Sequence, residues 1–202
     1  KKILINPADV GLEKDEKGRI ISAHLENDGQ PVSIGGMEKM SKSKNNGVDP
    51  QAIIDKFGAD TARIFMMFAA PPDQSLEWSD AGVEGSHRFL KRVWRLAQQH
   101  IDTAPSFVLS PIDIAAMGKD AQELRRKVHE SILNVGDDIE RRQAFNTAIA
   151  ALMELLNSIS KFEPKTDNDH AVMREAFSNL LLLLAPFAPH LSEAALALFN
   201  ID

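Results

Sequence analysis

No cysteine occurs in the 202 residues, which excludes disulfides and any thiolate zinc site within them. Six histidines are present but scattered, so no metal cluster is expected. Long hydrophobic runs are also missing. Even the leucine-rich run Leu180 to Ala185 stops at Pro186, far short of the roughly 20 apolar residues that a membrane helix needs. The basic start Lys1-Lys2 has no apolar signal-peptide core behind it, and a cytoplasmic protein is expected. An excess of positive charge is lacking as well, with 23 Lys+Arg against 29 Asp+Glu and a net charge of −6. Non-specific nucleic-acid binding is mostly neutralisation of phosphates by Lys and Arg, so a general coating function is excluded and any RNA contact has to come from local basic stripes. The GxxxxGK[ST] pattern is absent, which argues against a P-loop nucleotidase.

The residues that are present make the mixture of a soluble globular protein, 44% apolar and 26% charged, long enough for a real core and for one or two domains. The chain begins without methionine and ends at Asp202 just after an apolar helical stretch, and it is read as a fragment. Residues 1–37 carry short β-like runs, Arg19 to Leu25 and Pro31 to Ile34, separated by the turn signals Lys17-Gly18 and Asn27-Asp28-Gly29. Gly35-Gly36 then opens a segment from Lys39 to Gly47 too polar to be core, which is read as an exposed loop.

Helical punctuation starts at Asp49-Pro50 and closes at Gly58. Asp60 is positioned to cap a second helix, Thr61 to Ala70, stopped by Pro71-Pro72. From Ser79 on, apolar residues recur at spacings of three and four near 83–100, 118–139, 144–162, 170–184 and 188–199, with linkers around Pro105, Pro111 and Pro164. The fold class expected is mainly α: a small β-containing N-terminal element with a polar loop, then an α-helical bundle. The divisions fall at 1–37, 38–78 and 79–202. Phe65, Met66, Met67 and Phe68 are expected in the core, and Trp78 and Trp94 are expected to anchor packing. Asp60 and Arg63 are read as structural, and His190 as a packed or capping residue with Glu193 as its sole carboxylate neighbour.

Lys39-Met40-Ser41-Lys42-Ser43 is the most informative string. Lysines flanking a pivot methionine, interleaved with hydroxyls, can surround a polyphosphate with ammonium and O–H donors, and can stabilise charge accumulating on a departing pyrophosphate. The string resembles the second signature motif of class I aminoacyl-tRNA synthetases. Asn45-Asn46-Gly47-Val48-Asp49-Pro50, Gly58-Ala59-Asp60-Thr61-Ala62-Arg63, Leu76-Glu77-Trp78 and Gly82-Val83-Glu84-Gly85 are similar to the segment just after that motif in the leucine, isoleucine and valine enzymes. Arg88-Phe89-Leu90, Arg92-Val93-Trp94, Phe145-Asn146-Thr147-Ala148 and Ala185-Pro186-Phe187-Ala188-Pro189-His190 resemble landmarks of their helical anticodon-binding domain. Asn45-Asn46, where the valine and isoleucine enzymes tend to show Gly-Asn, and the β-rich stretch before Lys39 favour the bacterial leucine branch.

The resemblance implies ATP-dependent activation of leucine, with Mg2+ accompanying the nucleotide, and transfer of leucine to tRNA(Leu). By position, Lys42 would face the leaving phosphates and Lys39 would assist as the catalytic pair. Lys39, Met40, Ser41, Lys42 and Ser43 together would form the ATP-phosphate loop. The family's His-Ile-Gly-His-type signature is absent, so leucine and ATP pockets are expected on sequence upstream, and this segment alone is expected to be inactive, free of bound cofactor, without a metal site, and monomeric.

Arg88, Lys91, Arg92 and Arg95 recur at i, i+3, i+4 and i+7, a basic stripe on one helix face. It reads either as a solvated face or as a tRNA contact, and the resemblance raises the second reading. Arg125-Arg126-Lys127 and Arg141-Arg142 are further clusters among acids, where internal pairing explains the charges equally well. Besides the leucine enzyme, two alternatives stand: the same region of a valine or isoleucine enzyme, and a non-catalytic helical RNA-binding module.

Overall fold

The structure, a computed structural model, describes residues 3–17, 19–36, 38–103 and 111–199. Gly18 of the first expected turn and Pro105 of the first expected linker lie outside the described residues. The chain forms two compact units, Lys1–Gln51 and Ala52–Asp202.

The first unit holds a two-stranded antiparallel sheet, β1 (Val10–Lys14) and β2 (Ile20–Leu25), with Val10 opposite Leu25, Leu12 opposite Ala23, and an irregularity between Glu13 and Lys14. Asp15 organises the connection: its Oδ1 accepts from Lys17 N (2.9 Å) and Arg19 N (2.8 Å), and its Oδ2 meets Arg19 Nε at 2.7 Å. The Arg19 hydrogen bonds, backbone first, hold the Asp15 carboxyl below its usual range. A Cβ at Gly11 would lie 2.6 Å from His24 Nε2, so a larger residue there would require the His24 ring to move. The strand expected over Pro31 to Ile34 does not form. Only a bridge between His24 and Pro31 and the bond from Val32 N to Ala23 O (2.8 Å) remain. Proline has no N–H to donate to a continuing ladder. The strand that does pair with β2 lies upstream, where one glycine and two charges hide the alternation.

Helix α1 (Pro50–Phe57) starts where Asp49 Oδ1 accepts from Gln51 N at 3.0 Å. The second unit continues with α2 (Ala59–Ala69), α3 (Asp80–Thr103), α4 (Lys119–Asp137), α5 (Phe145–Lys161), α6 (Asp167–Leu184) and α7 (Pro189–Leu198). The mainly α architecture expected from periodicity is what the chain adopts. Helix α4 packs on α5 and α6, α2 on α3 and α5, and α7 on α6 and α3. Their apolar stripes meet in one core containing Val93, Leu152, Leu156, Phe177, Leu181 and Leu184. Each such leucine, fully enclosed, would cost about 2–5 kcal/mol if cut to alanine. No described helix is long and apolar enough to cross a membrane.

Local chemistry sets the boundaries. Thr166 and Asp169 form a reciprocal capping box that starts α6. Asn168 ties the linker back by accepting from Asp113 N and donating to Asp113 O, both at 2.9 Å. Between α4 and α5 the chain widens into a π-helical turn, Asp138–Arg142, closed by Gln143 at φ 51°. A Cβ at Gly82 would come within 2.8 Å of the Phe65 ring, so this glycine lets α3 seat against α2.

Four side-chain expectations need correcting. Phe65 is buried, but Met66 is 52% and Phe68 39% exposed, because on a helix packed along one stripe the neighbours of a core residue point outward. Trp78 does anchor packing, edge-on to Phe65 at 5.0 Å with its Nε1 donating to Asp80 Oδ1 at 2.9 Å. Trp94 is instead 39% exposed. Asp60 does not cap its own helix, whose N-cap is Gly58. Its Oδ2 accepts from the Leu191 backbone N–H at 2.8 Å and its Oδ1 meets His190 Nδ1 at 2.9 Å. The carboxylate partner of His190 is therefore Asp60, not Glu193.

Candidate functional site

In the first unit, residues Lys42–Lys44 form a 3-10 turn entered through extended Ser41 and left through Asn45 at φ 51°, ψ 34°. Asparagine is among the few residues with a side chain that tolerate this left-handed conformation. The reversal carries Asn46 back across the start of the motif. Its Oδ1 accepts from Ser41 N at 2.8 Å, and its Nδ2 faces Lys39 O at 3.4 Å. Ser41 Oγ and Ser43 Oγ lie 3.3 Å apart. Lys44 pairs with Glu38 at 2.8 Å. Lys39, Met40, Lys42 and Ser43 are exposed, and among the described residues neither Lys39 nor Lys42 has an ion-pair partner.

The loop thus presents two uncommitted ammonium groups and two hydroxyls bonded weakly to each other. Phosphate oxygens can engage all four without first displacing a strong internal contact. Asn46 is not among the candidate site residues that the sequence points to. Its one local signal is its place just after a residue that has to turn left-handed.

In the second unit the expected basic stripe on α3 divides. Arg92 is half-buried and committed to α5, donating from Nη1 to Asn157 Oδ1 and from Nη2 to Ser160 Oγ, both at 2.6 Å. Arg88 has a loose pair with Glu84 at 3.8 Å. Lys91 and Arg95 are exposed and, among the described residues, have no ion-pair partner.

The other basic clusters are spent internally. Arg125 holds Glu175 through two bonds, 2.8 and 3.2 Å, joining α4 to α6, and these bonds raise the guanidinium above its usual range. Arg126 pairs with Glu130, Lys127 with Glu154 at 2.9 Å, Arg141 with Asp137 at 2.6 Å and Arg142 with Asp138 at 2.5 Å. The Arg141 hydrogen bond holds Asp137 below the usual carboxylate range.

Comparison with known proteins gives two family matches. Residues 32–79 match the family of class I tRNA synthetases (I, L, M and V), and residues 121–200 match the anticodon-binding domain of tRNA ligase. The leucine--tRNA ligase of Acinetobacter baumannii is 70% identical over 202 residues, all of this chain and 23% of that protein. That of Chromohalobacter salexigens is 60% identical over 189 residues, 94% of this chain and 22% of its own length. The chain therefore spans about a quarter of the length of these curated relatives.

Among solved structures, the ternary LeuRS–tRNA–LeuAMS complex from Agrobacterium radiobacter superposes with a TM-score of 0.70 at 32% identity, over 81% of this chain and 21% of the other. Methionyl-tRNA synthetase of Mycobacterium tuberculosis bound by methionyl-adenylate shares the fold, with a TM-score of 0.68 at 22% identity over 81% of this chain and 36% of its own. With the loop and α2 inside one matched region, α4 to α7 in the other, and leucine--tRNA ligases similar from its first residue to its last, the chain matches a segment of the class I aminoacyl-tRNA synthetases.

Proposed function

We propose that this chain is the phosphate-loop and tRNA-binding segment of a cytoplasmic leucine–tRNA ligase, which activates leucine with ATP and transfers it to tRNA(Leu). The observation that carries the reading is the loop itself, where Lys39 and Lys42 stand uncommitted on a turn braced by Asn46. In the reaction the leucine carboxylate attacks the α-phosphorus, and the bond from that phosphorus to the bridging oxygen of pyrophosphate breaks. Negative charge grows on the leaving oxygens. The Lys42 ammonium stabilises that charge, Lys39 assists, and the Ser41 and Ser43 hydroxyls donate to phosphate oxygens. Mg2+ accompanies the nucleotide and offsets charge on its phosphates. The helical unit supplies tRNA contacts from α3, with Lys91 and Arg95 available for phosphate and Arg88 and Arg92 partly engaged within the fold.

The test is amino-acid-dependent ATP–pyrophosphate exchange by the full-length protein carrying this segment, together with binding of tRNA(Leu). Exchange with leucine well above that with valine or isoleucine supports the proposal. Preference for valine or isoleucine transfers the assignment to those enzymes, and tRNA binding without any exchange makes the segment part of a non-catalytic RNA-binding protein.

A further inference from the structure

Trp94 is the one large aromatic of α3 left open to solvent. At 39% exposure it stands beside a shallow groove of about 260 Å³ between α2, α3 and the start of α7. Phe57, Thr61, Leu90 and Leu191 contribute to the walls, and Lys91 and His87 stand in its lining. The His87 ring is held edge-on to Phe57 at 5.4 Å, and its Nδ1 lies 3.3 Å from Thr61 Oγ1. The carboxylate of the groove, Asp60, is already engaged by Leu191 N and His190. The charges free to meet a ligand are cationic: Lys91 three residues before Trp94, Arg95 next to it, and Lys56, whose Nζ lies 4.9 Å from the Phe57 ring centre.

An aromatic face with uncommitted cations close by is how proteins hold an unpaired base of a nucleic acid. The base stacks on the ring and the adjoining phosphates meet Lys or Arg. A nucleobase needs a slot of this size, with an apolar floor and polar groups at the edge. A protein partner would leave the free cations Lys91 and Arg95 without a complement unless it were acidic. The family's RNA substrate supplies both the polyanion and the base.

We propose that Trp94, with Lys91 beside it in the groove and Arg95 on the adjoining face of α3, is a stacking subsite for one unpaired base of the bound tRNA. The inference rests on the tRNA-binding reading above. It narrows the α3 contact to a face that excludes Arg92, which serves the helix-to-helix contact with α5.

The experiment measures tRNA(Leu) affinity of the full-length protein carrying Trp94→Ala, Trp94→Leu or Trp94→Phe, with leucine-dependent pyrophosphate exchange recorded alongside. Because the side chain is partly exposed, all three are expected to fold, and equal thermal midpoints check this. Alanine should weaken binding about tenfold, leucine by a similar factor because it has bulk but no π face, and phenylalanine by less than about threefold. Exchange, which needs no tRNA, should be unchanged in all three. Affinity unchanged in Trp94→Ala while Lys91→Ala or Arg95→Ala weakens binding would overturn the stacking subsite and leave the tRNA reading in place. Leucine performing as well as phenylalanine would also overturn it, since bulk alone would then suffice. Failure of the unmodified protein to bind tRNA would remove the reading on which the subsite rests.

Discussion

Asp60 and Leu191 are joined across 131 positions of sequence by a 2.8 Å bond from a backbone N–H at the start of α7 to a carboxylate in the first turn of α2. The same carboxylate meets His190 at 2.9 Å. A helix N-terminus leaves its first N–H groups without intrahelical partners and carries partial positive charge. An acidic side chain borrowed from another helix answers both needs and fixes where α7 docks.

Asp60→Ala should therefore destabilise the helical unit by about 1–2 kcal/mol, the usual loss for a helix cap. Asp60→Asn, which keeps an oxygen for Leu191 N, should lose less. Urea unfolding of both variants beside the parent chain measures the difference. Equal losses would mean that charge matters here and the accepted hydrogen bond does not.

His100 is 6% exposed near the end of α3, its ring in a cluster with Phe177 at 5.6 Å, Phe199 at 5.9 Å and His170 at 6.1 Å. Burial, and then the nearby charges of His170 and Arg174, lower its pKa from 6.5 to about 4. The unfolded chain therefore takes up this proton first as pH falls, so the effect on stability is nil well above pH 6.5. Stability then declines through the interval down to about pH 4, below which both states are protonated. The loss attributable to this ring is on the order of 2 kcal/mol after allowance for screening. Unfolding midpoints at pH 7.5 and 5 should differ clearly in the parent and much less in His100→Phe, whatever the substitution does to baseline stability. An undiminished difference would assign the pH dependence to other groups.

How much of this could be read in the sequence depends on range. The helices from α3 to α7 were legible because each buries one stripe, and periodicity of three and four is a local property. The loop stood out because lysines and hydroxyls crowd into five consecutive residues, Lys39 to Ser43. The Asp60–His190 contact was not, since nothing local to Asp60 distinguishes a cap for its own helix from one lent to a helix 130 residues away. Nor was the commitment of Arg92. In sequence it is one of four evenly spaced cations, and only the docking of α5 separates it from Lys91 and Arg95.

Arg92→Ala should thus register mainly as lost stability, about 1 kcal/mol from two hydrogen bonds to neutral partners at a partly exposed site. At a temperature where the variant is folded, its tRNA affinity should change less than that of Lys91→Ala or Arg95→Ala. Thermal unfolding and tRNA titration of the three variants separate the two roles. A large affinity loss in Arg92→Ala without destabilisation would reverse the assignment.

Lys42 and Asn46 should behave as one unit in the full-length protein. An ammonium that meets charge developing on pyrophosphate favours the transition state over bound substrate, so Lys42→Ala should lower kcat for leucine-dependent exchange while leaving the KM for leucine nearly unchanged. By analogy with losing one preorganised donor, the decrease should be on the order of 10² to 10³ fold, with Lys39→Ala costing less. Arginine at position 42 should restore only part of the rate, because a planar fork is a poor replacement for a compact ammonium on a tight turn. Asn46 touches no phosphate in this scheme. It holds the backbone on both sides of Met40, and Asn46→Ala should lower kcat by about tenfold by releasing that geometry. If Asn46 acts through Lys42, adding Asn46→Ala to Lys42→Ala should cost little more, a non-additivity that a double-mutant cycle measures directly. Independent, multiplying effects would mean that Asn46 serves the fold of the loop and not the placement of Lys42. A Lys42→Ala rate within about threefold of the parent would mean that the loop is only a scaffold.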